Sequence, residues 1–263
     1  MTEFFDTHAH LDYSDFAQDI DDVIARAQSV GISKIISIGT NLESSRRAIQ
    51  LTERFPNVYA VIGWHPGEAS NAPDDLRPAL RELARHPKVT AVGETGLDYH
   101  RLPEDVSAHA EYKRRQAALF EQHLEVAAQF GLNCVIHQRD AFDDTLAQLK
   151  PFAERVRGVF HCFGESVERM KQILEMGSLV SFTGIVTFRN GHNVRETVAA
   201  APFGKFMLET DCPYLAPVPY RGKRCEPAYV KEISETVAQA KMCSLEELSA
   251  ATCQTAKEFF RKL

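Results

Sequence analysis

Phe5-Asp6-Thr7-His8-Ala9-His10-Leu11-Asp12 closes the first β-strand-like run of this 263-residue chain. Side chains alternate along a strand, so His8 and His10, two apart, project to one side and can hold one metal ion together. A His-x-His pair alone also suits a surface turn or a satisfied polar group in the core. The turn still discriminates between folds. An open, doubly wound sheet that binds a nucleotide usually places a glycine-rich turn after its first strand, and here that position holds two histidines.

Working outward, apolar β-branched runs recur at Ile35–Ile38, Val58–Ile62, Val89–Val92, Cys134–Ile136, Val159–Phe160, Leu179–Phe182 and Phe206–Leu208. With Phe4–Thr7 they make eight. Stretches of helical period lie between them, such as Phe120, Leu124, Ala127 and Ala128, or Met170, Ile173 and Leu174. Ser244 and Glu247 form a capping-box pattern before the last helix. Eight strand–helix repeats in a chain this long predict one (β/α)₈ TIM barrel, an α/β fold spanning residues 1–263 as a single domain.

Composition is that of an ordinary globular protein, 44% hydrophobic and 25% charged. No apolar run approaches membrane-spanning length. The acidic N-terminus, with Glu3 and Asp6, lacks the pattern of a signal peptide. Six cysteines without a Cys-x-x-Cys pair read as reduced thiols of a cytoplasmic protein. A net charge of −6 argues against coating nucleic acid by bulk electrostatics. Oligomeric state is left open by the sequence, with a monomer favoured.

In such a barrel the active site forms at the C-terminal ends of the strands. Those ends carry His8 and His10, His65, Glu94 and Asp98, His137, His161, and Glu209 with Asp211. Five of the ten histidines fall there, whereas His86, His100, His109, His123 and His192 lie in helices or loops and suit solvated or structural roles. Four imidazoles and at least two carboxylates exceed the needs of one tetrahedral ion. They suit two divalent ions bridged by a carboxylate, with Glu94 central. Mixed nitrogen and oxygen ligation admits Mg²⁺, Mn²⁺ or Zn²⁺. Cys162 and Cys212 read as packing residues.

These residues, with Gly63-Trp64-His65-Pro66, Gly93-Glu94-Thr95-Gly96-Leu97-Asp98-Tyr99, His137-Gln138-Arg139-Asp140, His161-Cys162-Phe163 and Glu209-Thr210-Asp211-Cys212-Pro213-Tyr214-Leu215, resemble the TatD family of metal-dependent deoxyribonucleases within the amidohydrolase-like barrels. The resemblance runs through nearly the whole chain. It implies that His8, His10, Glu94 and Asp211 hold one ion, and that Glu94, His137 and His161 hold the second. Many amidohydrolases bridge their metals with a carboxylated lysine, and the glutamate here points away from dihydroorotase- or phosphotriesterase-like enzymes. The chain departs from the family pattern at Cys225 and Thr255, where asparagine is common.

The activity expected is hydrolysis of DNA phosphodiester bonds, on single strands or 3′ ends, by a metal-activated water that Asp211 orients and deprotonates. Glu209 is expected to orient a ligand histidine. His65, Arg139, Arg221, Lys223 and Arg224 are candidate phosphate contacts. Tyr99, Phe163 and Tyr214 are aromatic candidates for base stacking, although each alone also suits packing. Two alternatives remain: hydrolysis of another phosphoester, amide or ester, or a non-catalytic binding module.

Overall fold

The computed structural model describes residues 2–263. Eight parallel strands pair in chain order: β1 (Phe4–Ala9), β2 (Ile32–Ile38), β3 (Val58–Ile62), β4 (Val89–Asp98), β5 (Asn133–Arg139), β6 (Gly158–Phe160), β7 (Leu179–Phe182) and β8 (Phe206–Leu208). Helices α1 (Ile20–Ser29), α2 (Leu42–Arg54), α3 (Arg77–Leu83), α4 (His109–Phe130), α5 (Phe142–Leu149), α6 (Val167–Glu175) and α7 (His192–Ala200) join them, and α8 (Val230–Lys241) and α9 (Leu245–Phe259) follow β8. This is the expected (β/α)₈ barrel. No described helix is long and apolar enough to cross a membrane.

Closure between β8 and β1 combines side-chain and backbone bonds, Thr7 Oγ1 donating to Leu208 O at 3.0 Å. The Asp6 carboxylate accepts the Thr210 N–H at 2.9 Å and its hydroxyl at 2.6 Å. Just beyond, His10 N–H bonds Cys212 O at 2.8 Å and Asp211 N–H bonds His8 O at 2.9 Å. The seam therefore draws the ends of the first and last strands, with their candidate ligands, to one point.

The barrel interior takes one layer of apolar side chains from every strand: Phe5, Ile36, Val61, Ala91, Val135, Val159, Leu179 and Met207. Cys253, Ala256 and Phe259 of α9, with Phe260, pack beneath this layer and close the bottom. Burial of each large apolar side chain stabilises by roughly 1.5–3 kcal/mol. The α9 cap is the expected box, with Glu247 N–H on Ser244 Oγ at 3.1 Å and Ser244 N–H on Glu247 Oε2 at 2.9 Å. A second core fills the space between the sheet and the helices.

The period of two lifts this inner layer into a polar one above it. Two residues beyond Val135, Val159, Leu179 and Met207 stand His137, His161, Ser181 and Glu209. β4 departs from the sequence expectation. It continues past Val92 to Asp98, with its register against β5 shifted between Val92 and Thr95. Gly93 and Gly96, at φ +144° and +132°, allow this. A Cβ on Gly96 would lie 2.1 Å from His137 O, so only glycine lets β4 and β5 approach beside Glu94.

Candidate metal centre

Glu94 stands at the middle of the site, and its two oxygens face different partners. Oε2 lies 3.4 Å from His8 Nε2 and 3.7 Å from His10 Nε2. Asp211 Oδ1 completes that side, 3.6 and 3.4 Å from the same two nitrogens. Oε1 lies 2.8 Å from His161 Nε2 and 2.9 Å from His137 Nδ1. All six expected ligands thus converge, four of them buried and His137 and Asp211 partly open.

The donor set fits cations. His8 Nε2 and His10 Nε2 are 3.4 Å apart, and His137 Nδ1 and His161 Nε2 are 3.3 Å apart. Such pairs of ring nitrogens directed at one carboxylate are natural ligand groups, and His8–His10–Asp211 and His8–Glu94–His161 each converge within ligand range. The far ring nitrogens agree. His10 Nδ1 lies 3.1 Å from Ile38 O, where only an N–H is satisfied, which leaves the Nε2 lone pair for the site. His137 Nε2 lies 3.2 Å from Asp98 Oδ2, which frees Nδ1 in the same way.

The charges reinforce one another. Burial pushes the Glu94 carboxyl up, but His161 and the other imidazoles around it reverse this and hold it well below the usual carboxylate range. Burial likewise disfavours charge on His161, and the facing Glu94 and Glu209 overcome it to raise that imidazole well above its ordinary value. Asp211 is lowered, its burial outweighed by His10, His8 and His161. Two carboxylates kept ionised among imidazoles form a site where a divalent cation can take the place of the imidazole proton.

His65 joins this group differently. Its Nδ1 accepts the Gly67 N–H at 2.9 Å. In the neutral ring the proton therefore sits on Nε2, which lies 3.4 Å from Glu94 Oε1 and 3.3 Å from His137 Nδ1. Burial pushes its pKa down to about 4, so the ring is neutral near pH 7. His65 thus presents an N–H donor to the site, whereas His10 and His137 turn lone pairs towards it. His123 of α4 anchors the same turn from behind, its Nε2 accepting the Trp64 N–H at 2.9 Å.

Behind the ligands, Glu209 Oε1 is 3.6 Å from His161 Nδ1, beyond hydrogen-bond range, and the carboxylate is held by Cys162 N–H and Ser181 Oγ, both at 2.6 Å. Asp98 is the carboxylate bonded to the far ring nitrogen of His137, a candidate ligand. Its Oδ1 also takes the N–H groups of His100 at 2.9 Å and Arg101 at 3.2 Å. Its position two residues past Gly96 on β4 was the available signal. Replacing Asp98 with alanine should weaken divalent-ion binding by about 10- to 100-fold. Calorimetric titration of the chelator-treated protein with Mn²⁺ would show this, and unchanged affinity would refute the link.

The site opens into a cavity of about 1020 Å³. Arg139 lines it, as expected, and so do Arg47 and Arg101, which the sequence reading did not single out. The basic loop after β8 does not. Arg224 binds Asp19, which caps α1, through both carboxylate oxygens at 2.7 Å and lies 4.8 Å above Phe16. Arg221 bonds Ala216 O at 2.9 Å and covers Phe188 at 3.7 Å, and Lys223 is exposed near Tyr220. Arg221 and Arg224 brace the loop, and none of the three cations lines the cavity. Cys225 is fully buried, so its thiol offers substrate no contact. Thr255 bonds Ala251 O within α9 at 2.7 Å. Cys212 is fully buried, whereas Cys162 is partly open and lines the cavity, its thiol pushed up to about 12 by desolvation.

The family model described as TatD related DNase matches residues 5–261. The chain belongs to the TatD family. It is 38% identical to the uncharacterized metal-dependent hydrolase YabD of Bacillus subtilis over 260 residues, covering 98% of each chain. It is 34% identical to the 3′-5′ ssDNA/RNA exonuclease TatD of Klebsiella pneumoniae, covering 97% of each. Among solved structures, the TatD homolog YJJV of Escherichia coli superposes with a TM-score of 0.90 at 27% identity, covering 98% of each chain. Within this TatD barrel, the divided carboxylate of Glu94 is the feature around which the rest of the site is arranged.

Proposed function

We propose that this protein is a divalent-metal-dependent nuclease that removes nucleotides from single-stranded DNA, acting at 3′ ends. The carrying observation is the Glu94 carboxylate, one oxygen facing His8 and His10 and the other facing His137 and His161. That division suits two ions sharing Glu94, the first also held by His8, His10 and Asp211, the second by His137 and His161. Mg²⁺, Mn²⁺ and Zn²⁺ all accept such ligands. Bound there, divalent ions supply a water acidified towards neutrality and positive charge against phosphoryl oxygens.

The chain's own groups do the rest. Asp211, ionised and partly open to the cavity, is placed to orient the attacking water and take its proton. The His65 Nε2–H steadies Glu94 and can donate to a phosphate oxygen. Arg101 and Arg139, exposed at the mouth, are placed for backbone phosphates. A cavity at the upper end of the roughly 300–1,000 Å³ typical of small-ligand sites suits the end of a strand better than a length of duplex. The Klebsiella relative named as a 3′-5′ ssDNA/RNA exonuclease supports the same reading. Six unpaired cysteines suit a reducing compartment such as the cytoplasm.

End-labelled single-stranded DNA, RNA and duplex, with a small phosphodiester, a carboxylic ester and an amide, should be offered to chelator-treated protein under Mg²⁺ or Mn²⁺ titration. Stepwise shortening of single-stranded DNA from its 3′ end, restored by metal, is expected. Intact DNA beside turnover of the ester, the amide or the small phosphodiester would replace this reading with a different hydrolase on the same centre.

A further inference from the structure

Tyr214 keeps 54% of its surface exposed. It stands three residues beyond Asp211, fixed by its N–H on Asp211 O at 3.0 Å, and it borders the cavity. Behind it the edge of Tyr13 meets it at 6.4 Å and 79°. Tyr13 is itself stacked on His10, at 4.8 Å and 19°. One aromatic wall therefore runs unbroken from a metal-facing imidazole to the open mouth. The other aromatic candidates are already occupied. Tyr99 bonds Asp144 at 2.9 Å with Lys113 4.0 Å above its ring, and Phe163 is 5% exposed.

We propose that Tyr214, backed by Tyr13, is a stacking subsite for the base of the nucleotide next to the bond being cut. This rests on the nuclease reading and adds what selects the strand. Stacking on a ring is indifferent to base identity but demands a base free to leave its neighbours. A single-stranded end meets that demand cheaply, whereas a paired base must first be unstacked. Selection for unpaired ends then comes from an apolar contact beside the metal centre, which accords with a chain of net charge −6.

The test pairs deletion of the ring with deletion of the base. Wild type, Tyr214→Ala and Tyr214→Phe would be given labelled single strands, intact or with one abasic residue at each of the last few positions from the 3′ end. Equilibrium binding by fluorescence anisotropy and steady-state hydrolysis would both be read. Tyr214→Ala is expected to bind intact strands about 10- to 100-fold more weakly, with KM rising and kcat holding. At one position the abasic strand should be bound equally by wild type and Tyr214→Ala, because the lost contact is the same. Tyr214→Phe should behave as wild type.

Equal losses on intact and abasic strands, or no loss, would overturn the subsite while leaving hydrolysis, and the nuclease reading, in place. Base-dependent binding without hydrolysis would uphold the subsite and refute the nuclease. Neither binding nor hydrolysis would overturn both.

Discussion

Replacement of Glu94 by glutamine is expected to lower metal-dependent hydrolysis by about a thousandfold or more, with the fold retained. The side chain keeps its volume at a position only 2% exposed, so packing is little disturbed. What goes is the charge facing His8 and His10 on one side and His137 and His161 on the other. Metal-ion catalysis typically supplies several kcal/mol of transition-state stabilisation. Loss of about 4 kcal/mol corresponds to roughly a thousandfold in rate. Bound metal, measured by elemental analysis after dialysis, should fall along with kcat. Activity within tenfold of wild type with undiminished metal content would show that Glu94 is not the shared ligand.

The second large effect is on stability, at His123. This imidazole is fully buried in α4, its Nδ1 2.6 Å from Leu119 O and its Nε2 accepting the Trp64 N–H. Burial, opposed only by the Leu119 contact, lowers its pKa from 6.5 to about 4. The sign follows from linkage. The unfolded chain protonates this group below pH 6.5 and the folded protein resists until about pH 4. The stabilising contribution is therefore complete above 6.5 and is lost as pH falls through that window. A shift of this size corresponds to about 3 kcal/mol. His123→Gln, which does not titrate, should be about 1–3 kcal/mol less stable than wild type at pH 7.5. Urea unfolding at a series of pH values should show the wild type losing about 3 kcal/mol relative to His123→Gln towards pH 4, enough to close or reverse the gap. Parallel pH curves would place the wild type's acid sensitivity elsewhere. Because His123 holds Trp64, its loss should also loosen the turn that carries His65.

Much of the site was legible because strands impose a local rule. Val135 and Val159 mark the inward face of their strands, and His137 and His161 follow two residues on. Glu209 follows Met207 by the same step, yet its carboxylate is taken up by Cys162 N–H and Ser181, and Asp98 makes the direct contact to His137. Both carboxylates occupy inward strand-end positions, and periodicity cannot rank them. The end of β4 was obscured by Gly93 and Gly96, which look like a turn but carry the strand through a shift of register.

Long basic side chains were the least legible. Arg221, Lys223 and Arg224 cluster in sequence, but Arg224 is drawn to Asp19, 205 residues away along the chain, and Arg221 to Phe188. Arg47 and Arg101, unremarkable in sequence, reach the cavity instead. His65 shows the same limit at finer scale, since its donor role depends on which ring nitrogen the Gly67 N–H meets.

The sequence by itself determined the eightfold alternation, the (β/α)₈ barrel it requires, and the ligand types gathered at the strand ends. These follow from backbone periodicity and side-chain chemistry, which act between near neighbours. Only the tertiary structure decided how Glu94 divides its oxygens, which carboxylate meets His137, which arginines remain at the mouth and which aromatic ring stays open. Each depends on contacts made when the barrel closes, where a flexible charged side chain takes the nearest partner across the fold.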